Sequence, residues 1–175
     1  PTDEDWQLPP DWQRIVLEGM RERIERSRTL QLFMDNCVRC GACAERCPFF
    51  LGSGDPKNMP VLRAELLRSV YRRHFTLAGR LMGEMAGARE LTPAVLKEWF
   101  KYFFQCTECR RCAVFCPQGI DTAEITMLAR ELLLLLGLSV NWVLEPAANC
   151  HRTGNHLGIQ PHAFKDSLEF LADEL

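Results

Sequence analysis

Nine cysteines stand in this chain of 175 residues, and eight of them fall into two runs of identical spacing. The first run is Cys37, Cys40, Cys43 and Cys47, followed by Pro48; the second is Cys106, Cys109, Cys112 and Cys116, followed by Pro117. Both follow C-x2-C-x2-C-x3-C-P without deviation. Three thiolates separated by pairs of residues can each reach a different iron of one cubane, with the intervening amides close enough to hydrogen-bond the sulfurs. The fourth cysteine is turned away from that cubane, and in chains with two such runs it ligates the other cluster. The proline after it offers no N–H and resists helix continuation, which redirects the chain.

The spacing is that of bacterial ferredoxins and predicts two [4Fe–4S] clusters. One would be held by Cys37, Cys40, Cys43 and Cys116, the other by Cys106, Cys109, Cys112 and Cys47. This crossed ligation would tie the two halves of the domain together and keep the clusters near each other. Structural zinc also favours cysteines two residues apart, but its sites close with two such pairs or with histidines and have no use for a third cysteine or a Cys-Pro ending. A disulfide framework needs an oxidising compartment and does not account for two matched runs. Arg39, Arg46, Arg110 and Arg111 lie inside the runs, where they would offset cluster charge, dock an acidic partner, or simply stand as surface arginines.

The elements that position these runs read as helical throughout. Between Cys47 and Cys106 lie 58 residues, far more than the short, strand-containing link of small bacterial ferredoxins. No segment alternates with a period of two, so the fold class expected is all-α, an α-helical ferredoxin domain with two cluster-binding loops. Asp11 sits before a predicted helix that runs to about Met34, with Ile15, Met20, Ile24 and Phe33 as its apolar stripe. LGSGDPKN reads as a loop. Pro60 suits the first turn of a helix that would turn Val61, Leu62, Leu66, Val70 and Phe75 toward a core. Gly79, Gly83 and Gly87 weaken the next segment as a helix. Thr92-Pro93 opens a helix through AVLKEWFKYFFQ, leading straight into the second run. Asp121 and Glu124 resemble a capping box for a helix ending near Leu136, with Gly137 as its stop. A last helix is expected around 163–175. The domain organisation expected is therefore 1–34 as arm and helix, 35–140 as the cluster domain, and 141–175 as a linker or tail.

Hydrophobic residues at 47% and charged residues at 25% describe an ordinary globular chain rather than a disordered one. The net charge of -2 counts each cysteine as neutral. Two clusters with their thiolates would add roughly four negative charges, and nothing in the chain resembles a nucleic-acid-binding surface. The opening PTDEDWQLPP lacks the basic-then-apolar pattern of a secretory leader, and the apolar stretch at Leu132–Leu136 is far short of the ~20 residues that span a bilayer. Direct membrane insertion is not expected.

The stretch CVRCGACAERCPFFLGSGDPKNMPVLRAELLRSVYRR, preceded by EGMRERIERSR and followed by CTECRRCAVFCPQGID, closely resembles the DsrK family. These are iron–sulfur subunits of the membrane-associated DsrMKJOP complex of dissimilatory sulfur metabolism, similar in turn to the catalytic subunit of membrane-bound heterodisulfide reductase. The resemblance implies an electron relay between a membrane cytochrome b subunit, DsrM in that complex, and a catalytic centre built from Cys-Cys-Gly motifs that acts on the small thiol protein DsrC. It implies a cytoplasmic location, peripheral to the inner face of the membrane through partners. No Cys-Cys-Gly occurs here, so the sequence reads as an N-terminal segment that carries the relay without the catalytic centre. Iron–sulfur segments of glycolate or glycerol-3-phosphate dehydrogenase type, and a structural metal-binding docking module, remain as other assignments.

Cys150, the ninth cysteine, stands near His151, His156 and His162. These could form a zinc site, but their spacing matches no standard pattern, and a thiol with surface histidines in a turn is the simpler reading. A thiol–disulfide enzyme built on Cys150 would need a resolving cysteine, and none is left once eight are ligands.

Overall fold

Apolar residues four apart begin the fold. Val16, Met20 and Ile24 line one face of α1 (Trp12–Arg26) and are buried. The computed structural model describes residues 6–174, so the first half of the opening arm and Leu175 lie outside the described residues. The helix predicted to run on to Met34 is broken at Ser27, whose backbone is extended and whose side chain accepts from the Leu30 amide. Serine competes with the helix for its own backbone, so it stops α1 and caps α2 (Arg28–Asp35).

The segment expected as a loop after the first run is partly helical. Pro48 takes the first position of α3 (Pro48–Ser53), which ends on Gly54 in the left-handed region, and Asp55 caps a 3₁₀ turn at Pro56–Asn58. The centre of the unit is α4 (Pro60–Phe75), started by Pro60 as expected. Val61, Leu66, Leu67 and Val70 are buried from it, whereas Leu62 faces solvent and Phe75 is half-buried. A short α5 (Leu77–Met82) and a 3₁₀ turn at Gly83–Ala86 follow. Gly79 is required there: a Cβ would stand 2.0 Å from the Arg72 carbonyl oxygen.

Thr92 accepts from the Val95 amide and caps α6 (Pro93–Phe103), with Pro93 in its first turn. Trp99 of α6 is fully buried and donates its indole N–H to the Leu66 carbonyl of α4 at 3.0 Å. After α7 (Arg111–Val114), Asp121 caps α8 (Thr122–Leu135) through the Ala123 amide. The box expected with Glu124 does not close, because Glu124 accepts from Arg110 instead. At the other end, Gly137 at φ 74 lets its own amide reach Leu134 and the Leu138 amide reach Leu133. This double return satisfies the last carbonyls of α8 and seats Leu138 in the core.

The helix α8 packs against α1, α2, α4 and α6, and the shared core of Met20, Leu67, Leu96, Trp99, Phe103, Leu128 and Leu132 lies among them. No strand occurs among the described residues. This unit ends at Leu138. A second unit, from Ser139, holds α9 (Asn141–Thr153), with Pro146 inside it, and α10 (Pro161–Asp173). The helix α9 was not expected from the sequence, because its internal proline and the turn residues after it mask the pattern.

Candidate metal centre

The two runs fold alike. In the first, Arg39 and Gly41 have φ of 54 and 79; in the second, Glu108 and Arg110, at the same positions, have φ of 54 and 59. Three of these four are not glycine, and side chains adopt this region only where the surroundings impose it. In the second run the Glu108 N–H donates to Cys106 Sγ at 3.4 Å, an amide-to-sulfur bond within the loop.

Each left-handed arginine is held from a helix. Arg39 pairs with Glu65 of α4 at 2.9 Å, and Arg110 pairs with Asp121 at 3.3 Å and Glu124 at 3.2 Å at the start of α8. The chain leading into each run is held in the same way. Arg68 of α4 donates twice to the Phe33 carbonyl, at 2.8 and 3.3 Å. Arg130 of α8 donates to the carbonyls of Phe103 and Cys106 and pairs with Glu108 at 3.0 Å.

Two adjoining cavities collect the sulfurs. Cys37, Cys40, Cys43 and Cys116 line the first, with Cys112 at its edge. Cys47, Cys106, Cys109 and Cys112 line the second, so Cys112 belongs to the wall between them. The fourth cysteine of each run thus opens toward the other run's three. Val61, Ile120 and Pro117 close the first cavity, and Pro48, Phe49, Pro60 and Ala123 close the second. Arg46 of the first run stacks over Phe115 of the second at 4.2 Å, a further link between the runs. Among the described residues, no three Cys, His, Asp or Glu side chains close on one point; the sulfurs are spread around the two cavities.

Cys40 and Cys109 are exposed, Cys47 is buried, and the other run cysteines are half-buried. Burial pushes the Cys43 thiol up, opposed by the Val61 backbone, and burial pushes the Cys112 thiol up, opposed by its contact with the Thr122 hydroxyl at 2.6 Å. Four soft sulfur donors around each of two cavities, with apolar side chains in their walls and an amide donating to Cys106, fit the chemistry of a cubane, whose charge such amides stabilise.

Residues 33–120, about half of the chain, match the family model described as a 4Fe-4S dicluster domain. The chain belongs to the 4Fe-4S dicluster domain family. Membership in this family means two [4Fe–4S] clusters. The chain is 50% identical over 98% of its length to the "Hdr-like menaquinol oxidoreductase iron-sulfur subunit" of Archaeoglobus profundus. It is 52% identical over 98% to the "iron-sulfur subunit 2" of the same kind in Archaeoglobus fulgidus. It is 33% identical over 60% to the D component of the dihydromethanophenazine:CoB–CoM heterodisulfide reductase of Methanosarcina barkeri. The chain spans 31% of the two Archaeoglobus proteins and 25% of the Methanosarcina one. No solved structure matches it significantly.

The histidines near Cys150 do not gather around it. Cys150, His151, His156 and His162 are all exposed, and the turn between α9 and α10 is organised by Asn155, which bonds both the amide and the carbonyl of Ile159. Sequence reasoning missed Arg63, Arg68 and Arg130. They lie outside the runs, and helical arginines ordinarily read as surface residues.

Proposed function

We propose that this chain relays single electrons between two [4Fe–4S] clusters, as the electron-transfer segment of a heterodisulfide-reductase-like menaquinol oxidoreductase. The observation that carries this reading is the pair of adjoining cavities that share Cys112, each lined by three cysteines of one run and the fourth of the other. When bound, each cluster supplies a one-electron redox centre. Cys37, Cys40, Cys43 and Cys116 would hold one, and Cys106, Cys109, Cys112 and Cys47 the other. The interleaved fourth cysteines keep the sites adjacent, which transfer through the protein requires. The helix-held loops hold the ligands in place, so little rearranges when charge arrives.

The finer assignment follows the resemblance to DsrK. Residues 35–140 would form the relay domain, and 141–175 would lead toward the thiol/disulfide centre of a longer protein. The electron source would be a quinol through a membrane cytochrome b partner of DsrM type, and the acceptor a disulfide on a DsrC-like protein, at the inner face of the membrane. No helix among the described residues is long and apolar enough to cross a membrane.

The test is anaerobic reconstitution of the chain, followed by iron and sulfide counts and a potentiometric titration read by electron paramagnetic resonance. About eight irons and eight sulfides with two reversible one-electron waves support the relay. A full complement of clusters that takes up no electrons reversibly would leave only a structural docking module.

A further inference from the structure

Four thiolates around a cubane leave about two negative charges, and about three after one-electron reduction. A fixed positive charge beside such a site favours the reduced form, and more so where water is excluded. The arginines inside the runs are poorly suited to this. Arg39 and Arg110 are exposed and already paired with carboxylates, Arg46 is exposed against Phe115, and Arg111 is exposed as well. Solvent and partner carboxylates screen such charges.

Arg63 is different. It lines the second cavity with Cys47, Cys106, Cys109 and Cys112, as the exposed Arg46, Arg110 and Arg111 also do, but it alone of these arginines is buried, at 3% exposed. Its Nη2 donates to the Asn58 carbonyl at 3.0 Å and to the Asn58 side-chain oxygen at 3.1 Å, while its Nε has no partner. Among the described residues no carboxylate pairs with it. Arginine does not lose its proton in proteins, so this is a buried cation without a counter-ion among the described residues, an unfavourable arrangement unless a negative group stands beside it. The same Asn58 carbonyl accepts from Cys47 Sγ at 3.5 Å, which places the guanidinium one shared oxygen away from a sulfur.

We propose that Arg63 is the built-in counter-charge of the cluster in the second cavity, a positioning residue that raises that cluster's reduction potential and holds the Asn58 turn beside Cys47. This rests on the reading of the cavity as a cluster site. Its role is electrostatic at reduction and geometric at assembly. When Cys47 gives up its proton to become a ligand, the Asn58 carbonyl keeps its bond from Arg63, so the turn that carries both stays in place.

The experiment is a potentiometric titration, read by electron paramagnetic resonance, of the reconstituted full chain and of Arg63→Met, Arg63→Gln and Arg63→Lys. The second cluster is identified as the signal lost in Cys109→Ser. Arg63→Met and Arg63→Gln are expected to lower the reduced-to-oxidised ratio of that cluster at fixed potential about tenfold, equivalent to about 59 mV for a one-electron couple, and to leave the other cluster unmoved. Arg63→Lys keeps the charge without the fork and is expected to retain most of the potential. Equal midpoints in Arg63→Gln and Arg63→Lys overturn the proposal, as does loss of the second cluster in all three variants, which would make Arg63 structural only. A wild-type chain without two reversible waves would instead sink the relay reading, before any variant is compared.

Discussion

Crossed ligation makes a prediction that iron counting can decide. If Cys47 completes the site of Cys106, Cys109 and Cys112, then Cys47→Ser and Cys109→Ser damage one and the same cluster. The lining of the two cavities sets the magnitudes: four sulfurs serve each, and only the wall residue Cys112 touches both. Beginning from about eight irons, a variant that destroys one cluster keeps about four. The double variant Cys47→Ser with Cys109→Ser should then also keep about four, because its second lesion falls where nothing is left to lose. Cys47→Ser with Cys40→Ser should keep almost none. Such non-additivity is what a shared site produces, whereas separate sites add. The assay is iron and acid-labile sulfide per chain after identical anaerobic reconstitution, with absorbance and paramagnetic spectra to show which cluster survives. Ligation within each run predicts the reverse, with about four irons in the Cys40 double and almost none in the Cys109 double. That result would refute the crossed assignment of Cys47 and Cys116.

Two further predictions concern the scaffold. Gly79→Ala forces a Cβ to within 2.0 Å of the Arg72 carbonyl and cannot be relieved by a rotamer, so it should lower the thermal midpoint markedly, by more than the roughly 1 kcal/mol gain that glycine-to-alanine brings in an open helix; an unchanged or raised midpoint by circular dichroism would contradict the packing of α5 on α4. Burial holds His74 below its ordinary range, against the pull of Glu90 and with Arg73 and Arg80 adding to the depression. The unfolded chain therefore takes up a proton more readily than the folded one, so stability is fully present above about pH 6.5 and is lost as pH falls toward the folded value. Relative to His74→Gln, the native chain should lose thermal stability between about pH 7 and 5, and a gain on acidification would refute the sign.

Much of the chemistry was legible in one dimension, for reasons of geometry. A cubane wrapped by three cysteines needs a local loop, and local loops leave a spacing in the sequence, so the eight ligand candidates and the two clusters could be read directly. Helix signals tied to single residues were equally plain: Thr92 and Asp121 cap where they should, Pro60 and Pro93 start their helices, and Gly137 ends α8. Errors came where two local signals compete. Ser27 interrupts an otherwise continuous apolar stripe, Glu124 is drawn away from a capping box by Arg110, and Pro146 hides α9.

What only the tertiary structure decided is how the runs meet and what charge surrounds them. The left-handed Arg39 and Arg110 are held by Glu65, Asp121 and Glu124, carboxylates distant in sequence or on another element, and no spacing announces them. The burial of Arg63 depends on α4 being enclosed on nearly every side, which sets a residue type that is ordinarily exposed beside Cys47. The ligand candidates are legible in the sequence because a cubane demands local spacing. Their electrostatic environment is not, because it is a sum over neighbours that only packing brings together.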